Sequence, residues 1–247
     1  MATLLIGGNT FAQIYGQTFG QTGLVDAEFA NNGIILESYS ATANMNGHTS
    51  VLQPDGKMIM AGGNGNNEVT LVRYNTEGYT DNGFGTNGKV VITAPAGNTL
   101  GGANASLTVQ TDGKIIYASN ANGKIALAKL KANGTLDSTF GTAGLSYTQL
   151  GPLWYSNIGK VIVKPDGKIL IGGTGTYNIT SPYFEVVQFL SNGTLDPSFG
   201  TGGIFHYSAG PSGSCYSIAL MPNDHVIVGG IRFPIGVMAA EIGRAHV

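Results

Sequence analysis

The sequence predicts an all-β fold: a β-propeller of four-stranded antiparallel blades, incomplete in this chain, with three full blades and two partial ones. Three observations predict it. First, a turn-and-strand unit recurs. Pro165-Asp166-Gly167-Lys168 feeds Ile169-Leu170-Ile171-Gly172-Gly173, and the same unit stands at Pro54-Asp55-Gly56-Lys57 and at Thr111-Asp112-Gly113-Lys114, with a worn copy at Pro222-Asn223-Asp224-His225. The copies step by 57, 54 and 57 residues, a period that belongs to propellers and other arrays. Second, an Asp-x-x-Phe marker keeps the same phase: Asp26 and Phe29, Asp81 and Phe84, Asp137 and Phe140, Asp196 and Phe199. Third, the strand after each turn is apolar at consecutive positions, so it is buried on both faces. An antiparallel sheet usually wets one face, and stacked blades supply the second cover.

Each unit reads as four strands. In the best-preserved copy, strand A covers 49–53, strand B 57–62, strand C 68–74 and strand D 88–93. The A–B connection suits a type I turn with glycine in the left-handed position, closing a hairpin. Proline presets the first turn residue and aspartate bonds nearby backbone amides. Asp55, Gly56, Asp112, Gly113, Asp166 and Gly167 are therefore structural repeat residues. Asn133-Gly134-Thr135-Leu136-Asp137 and Asn192-Gly193-Thr194-Leu195-Asp196 place the same turn chemistry between strands C and D. Phe84, Phe140 and Phe199 read as core between blades.

Together, the Pro-Asp-Gly-Lys turn, the Ile-Leu-Ile-Gly-Gly strand and the Thr194-Leu195-Asp196-Pro197-Ser198-Phe199-Gly200 marker resemble the delta-60 repeat family, tandem β-propeller repeats of bacterial secreted and surface proteins. The resemblance covers nearly the whole chain. It departs from the pattern at Thr111 and in the Asn223-Asp224-His225 turn. It implies fold, and an extracellular or cell-surface location, but no assigned activity.

The repeat frame divides the chain into blades at about 1–40 (partial), 41–98, 99–152, 153–210 and 211–240 (partial). Leu4-Leu5-Ile6-Gly7-Gly8 matches the strand after a turn, so the chain is expected to begin inside a repeat. Residues 241–247 fit no repeat and read as the translation of a sequencing adapter, a non-native tail. Further blades or domains of the same protein are expected.

Composition narrows the function classes. Glycine is abundant, at 39 residues, and only 11% of residues are charged, a mixture typical of turn-rich β structure. A net charge of −2 without a basic cluster disfavours nucleic acid. No apolar run approaches the roughly 20 residues of a membrane span. The single cysteine, Cys215, excludes an internal disulfide framework.

Strand order puts the A–B and C–D turns on one face and the longer B–C and D–A loops, 94–104, 149–157, 174–183, 205–214 and 231–236, on the other. Those loops hold Trp154, Tyr155, Tyr177, Tyr183, Tyr207, Arg232 and Phe233, residue types that dominate recognition surfaces on segments that often carry function. They read either as a binding face for a protein or glycan or as cover for neighbouring blades. The repeated aspartates lie one per blade and cannot converge on one ion; each reads as a turn stabiliser that bonds backbone amides or, alternatively, as a lone ion ligand beside backbone carbonyls. No metal or other cofactor is expected, and no catalytic residue: His48, His206, His225 and His246 recur at no fixed position and lack zinc-like spacing, and no nucleophile elbow, phosphate loop or dinucleotide fingerprint is present. The leading expectation is a non-enzymatic scaffold that binds through the B–C and D–A loops. The alternative is part of a propeller hydrolase or lyase whose catalytic residues lie in other blades or fused domains. A third reading is an open array whose exposed blade faces leave it without independent stability.

Overall fold

Each Pro-Asp-Gly-Lys stretch closes the same hairpin. Gln53 N–H donates to Lys57 O at 2.7 Å and Gly56 N–H to Gln53 O at 3.0 Å, while the Asp55 carboxylate accepts the Lys57 N–H at 3.2 Å. Gly56 takes φ +81°, the left-handed conformation that ends a type I turn and lets the strands pair. The bonds repeat at 110–114 and 164–168. In the fourth copy Asp224 holds the left-handed position at φ +66°, which aspartate tolerates better than most side chains. The turn therefore survives both the loss of proline at Thr111 and the loss of glycine at Asp224.

The computed structural model describes residues 3–6, 10–13, 28–35, 46–63, 67–100, 104–150, 153–177, 181–208, 212–233 and 236–242. Seventeen strands cover them: β1 (Thr3–Ile6), β2 (Thr10–Gln13), β3 (Asn46–Leu52), β4 (Met58–Gly63), β5 (Glu68–Tyr74), β6 (Lys89–Thr93), β7 (Ala105–Val109), β8 (Ile115–Ala121), β9 (Lys124–Leu130), β10 (Leu145–Thr148), β11 (Leu153–Val163), β12 (Ile169–Tyr177), β13 (Ser181–Phe189), β14 (Ile204–Ser208), β15 (Ser212–Leu220), β16 (Val226–Phe233) and β17 (Gly236–Ile242). They form three four-stranded antiparallel meanders, β3–β6, β7–β10 and β11–β14, a three-stranded sheet β15–β17, and the β1–β2 pair. No helix among the described residues is long and apolar enough to cross a membrane.

The three four-stranded sheets and β15–β17 stack in chain order, with β7 beside both β3 and β11, and β15 beside β11. First strands thus line up along one side of the stack. Three cores fill the gaps between sheets. Ile59, Leu71, Phe84, Ile115 and Tyr117 lie between the first and second four-stranded sheets. Ile116, Leu127, Phe140, Ile171 and Val187 lie between the second and third. Leu170, Phe184, Val186, Cys215 and Val228 lie between the third and β15–β17. Alternate residues of one strand serve opposite cores, so Ile115–Ala118 and Ile169–Thr174 are buried at every position. The first sheet departs from this: Ile59 and Ala61 are buried while Met60, pointing away from the second sheet, is 37% exposed.

The first strands of three sheets carry β-bulges, at Gly47/Thr49 in β3, at Tyr155/Asn157 and Ile158/Lys160 in β11, and at Cys215/Ser217 in β15. A bulge releases backbone groups from the ladder, and hydroxyls of adjacent sheets take two amides of these strands. Val161 N–H donates to Ser106 Oγ at 3.0 Å and Cys215 N–H to Thr174 Oγ1 at 2.9 Å. At the other end of the chain, β17 pairs with β16 as far as Ile242 opposite Val226. The strand therefore runs past position 240, where the repeat frame stops. Residues 243–247, including His246, lie outside the described residues.

Candidate functional site

The two sequence markers of each repeat meet in space, which their separation in sequence does not reveal. Lys57 of the first turn pairs with Asp81 of its own repeat at 2.9 Å, Lys114 with Asp137 at 3.3 Å and Lys168 with Asp196 at 2.7 Å. The other carboxylate oxygen accepts the backbone N–H two residues on, from Gly83, Thr139 or Ser198. Lys57 holds Asp81 below the ordinary carboxylate range, with burial opposing it. Bonds from Thr139, also against burial, bring Asp137 down to about 2. At Asp196 burial pushes upward, but bonds from Lys168, Ser198 and Gln188 outweigh it and hold the acid well below its usual value. Each aspartate thus engages both carboxylate oxygens inside its own repeat.

Each phenylalanine then locks its blade to the next. Phe84, Phe140 and Phe199 are buried. A Cβ on Gly134 would stand 2.9 Å from the Phe84 ring, and one on Gly193 2.6 Å from the Phe140 ring. Backbone bonds run beside these contacts, from Gly85 N–H to Asn133 O at 2.8 Å and from Gly141 N–H to Asn192 O at 2.9 Å. The first marker follows suit, with Phe29 against Gly78 and Ala30 N–H bonded to Glu77 O at 2.7 Å. A cation covers two of the rings: Arg73 sits 4.7 Å above Phe84 and Lys129 5.6 Å above Phe140. This machinery is architectural.

The aromatic residues singled out as loop residues belong to strands. Trp154 and Tyr155 lie in β11, Tyr177 ends β12, Tyr183 lies in β13, Tyr207 in β14, and Arg232 and Phe233 end β16. The expectation of long B–C and D–A loops here is corrected. The ladder between β12 and β13 runs out to Tyr177 opposite Ser181, because Thr174, Thr176, Tyr177, Tyr183 and Phe184 favour extended backbone and carry it past a glycine-rich run that resembles a loop. The consequence is concentration. Tyr155 pairs with Gly175, Gly175 with Tyr183 and Tyr183 with Ser208; Trp154 pairs with Thr176, Leu153 with Tyr177, and Phe184 with Tyr207. Five of the seven residues thus occupy one end of the β11–β14 sheet, and Arg232 and Phe233 the equivalent end of the next, opposite Gly213 and Ser212. Tyr207 is exposed and Tyr183 half-buried, the latter meeting His206 edge-on with ring centroids 5.6 Å apart.

Beside this end stands a residue the sequence reading passed over. Glu185 is completely buried, and neither carboxylate oxygen has a hydrogen-bond partner. Burial pushes its carboxyl up to about 7. A lone acid in the apolar run Phe184-Glu185-Val186-Val187 is the signal that could have found it. Among the described residues no group of three or more His, Cys, Asp or Glu side chains gathers as a metal site would. Cys215 is buried, and burial pushes its thiol up to about 11, far from a ready nucleophile.

A family model described as "Domain of unknown function (DUF5122) beta-propeller" matches residues 53–84, 110–140 and 164–199. Each matched span begins at an A–B turn and ends at the aspartate–phenylalanine marker. The chain is built of β-propeller repeats. No curated protein matches it in sequence. Among solved structures it is similar to a protein of unknown function from Bacteroides caccae, at 13% identity over 81% of this chain and 61% of that one, with a TM-score of 0.46. It is also similar to the NanB sialidase of Streptococcus pneumoniae, at 17% identity over 74% of this chain and 26% of that one (TM-score 0.46), and to the virginiamycin B lyase of Staphylococcus aureus, at 13% identity over 83% and 72% (TM-score 0.38). The propeller chain therefore spans less than two thirds of the first two of these proteins.

Proposed function

We propose that this β-propeller chain is a non-enzymatic binding scaffold of a bacterial surface or secreted protein, and that the aromatic end of the β11–β14 sheet takes a glycan. The observation that carries the reading is the register, which brings Trp154, Tyr155, Tyr177, Tyr183 and Tyr207 to the same few rows of one sheet. Aromatic side chains offer apolar area with a polar tip, a combination suited to sugar rings and their hydroxyls. The resemblance to delta-60 repeats supports the extracellular setting.

Trp154 is the only tryptophan of the chain, so its fluorescence reports on this end alone. Titration with a panel of bacterial and host oligosaccharides should give a saturable change in emission, abolished by Tyr155→Ala combined with Tyr183→Ala. Saturable binding that both substitutions leave intact would move the site elsewhere. Silence across the panel, with a protein retained on the immobilised wild-type chain but not on the double variant, would replace the glycan by a protein partner.

A further inference from the structure

Glu185 sits in the middle of β13, and the parity of the strand fixes where it points. Phe184 and Val186 belong to the core shared with β15–β17, whereas Val187 and Phe189 belong to the core shared with β7–β10. Glu185 therefore faces the gap between the second and third four-stranded sheets. Its carboxylate lies against Gly175 of β12, where a Cβ would collide with it. Its cross-strand neighbours are Gly173 of β12 and His206 of β14, with Ile158 of β11 beyond Gly173.

The groups that face it are largely apolar. The second sheet offers Ile116, Ala118, Ile125 and Leu127, and Asn120 in register with Ile125. Lys129 shares that face of β9, but its ammonium is held toward the far end, over Phe140 and at 3.4 Å from Ser191 O. On its own sheet the titratable neighbours are Tyr183, which is half-buried, His206, which is exposed, and Tyr155, in register with Gly175. No described cation reaches the carboxylate.

We propose that Glu185 is a proton-operated latch between the second and third sheets. Protonated, it is a neutral filler and the sheets pack. Ionised, it demands water or a counter-charge that the described residues facing it do not supply, and the gap opens at the end that carries the aromatic cluster. The latch is independent of the glycan reading, because it concerns packing alone.

Burial raises this carboxyl from 4.5 to about 7, since an unpaired charge is disfavoured in an apolar surrounding. The sign follows from a folded-state value above the unfolded one. The packed state is fully stabilised below about pH 4.5, weakens as pH rises, and has lost the whole contribution above about pH 7. The closed-to-open equilibrium falls about tenfold per pH unit across that window, roughly a hundredfold or more in all. Local opening of one gap precedes unfolding of the chain when the destabilisation is local.

Hydrogen exchange of the full chain, corrected for intrinsic rates, tests this from about pH 5 to about pH 8. Protection in β11–β13 should fall by roughly a hundredfold in the wild type and stay level in Glu185→Gln, while β4 and β5 hold steady in both. Carbon-13 titration of the Glu185 carboxyl in the wild-type chain should show a midpoint near 7, and it decides the matter even if the variant does not fold. An equal loss of protection in Glu185→Gln, or a midpoint in the ordinary glutamate range, would overturn the latch.

Discussion

At the scale of single residues, Asp196 shows what the repeat demands of its aspartate. One carboxylate oxygen accepts the Ser198 N–H at 3.1 Å and the Ser198 hydroxyl at 2.6 Å. The other accepts Gln188 Nε2 and Lys168 Nζ, both at 2.7 Å. Asparagine keeps the first pair of bonds and turns an N–H₂ group toward the second pair of donors. Leaving buried donors unsatisfied costs about 1–3 kcal/mol, so Asp196→Asn should lose about 2 kcal/mol in urea unfolding. Asp55→Asn should lose less than about 0.5 kcal/mol, because Asp55 is half exposed, accepts one backbone N–H and touches Lys57 only at 3.9 Å. Equal losses would mean that the aspartate of the second marker acts no differently from that of the first. The sequence makes both aspartates visible as turn formers. It hides the ion pair, because lysine and aspartate lie 24, 23 and 28 residues apart in the three repeats, a spacing set by two intervening strands whose lengths vary.

At the scale of elements, the C–D turn is both a connector and a socket. Gly193 has φ +88°, and a Cβ there would stand 2.6 Å from the Phe140 ring of the preceding blade. Gly97 has φ +81° with nothing within 4 Å of a Cβ. Alanine at Gly97 therefore meets backbone strain alone, about 1–2 kcal/mol. At Gly193 it adds displacement of a buried ring, typically another 1–3 kcal/mol. Thermal or urea unfolding of Gly97→Ala and Gly193→Ala should separate the two terms, and matching losses would show that the ring moves aside freely. Strand identity and order were legible in the sequence: 68–74 is β5 to the residue, and the turn markers locate the first four-stranded sheet's other strands within a few positions. The end of the glycine-rich Gly172-Gly173-Thr174-Gly175 run, which the repeat frame gives to a loop from position 174, was not. Its glycines look like loop signals, yet they leave room for neighbouring side chains, Ile218 above Gly172 and Glu185 beside Gly175. That exchange of side-chain volume between strands is set by packing across a gap, which no local pattern encodes. It is also why the aromatic residues proved to be strand residues gathered at one sheet end.

At the scale of the whole molecule, two sets of carboxyl groups pull stability in opposite directions with pH. Asp81, Asp137 and Asp196 are all held below their ordinary value of 3.8. Such groups stabilise the fold fully above their unfolded value, and the contribution is lost as pH falls through the folded one. Asp137 alone, brought from 3.8 to about 2, accounts for about 2 kcal/mol of that acid limb. Glu185 acts on the other side, withdrawing stability as pH rises from 4.5 to about 7. The melting temperature should therefore peak near pH 4 to 5, where the aspartates are still ionised and Glu185 is still protonated. The two limbs differ in reach. The aspartates stand one in the last connection of each four-stranded sheet, so acid weakens all three of those blades. Glu185 stands in one gap, so alkali weakens a single joint. Melting curves from about pH 3 to about pH 9 should show Asp137→Asn flattening the acid limb and leaving the other, and Glu185→Gln shifting the optimum upward without touching the acid side. A wild-type optimum that stays put in Glu185→Gln would mean that the gap between the second and third sheets does not govern the molecule's response to pH.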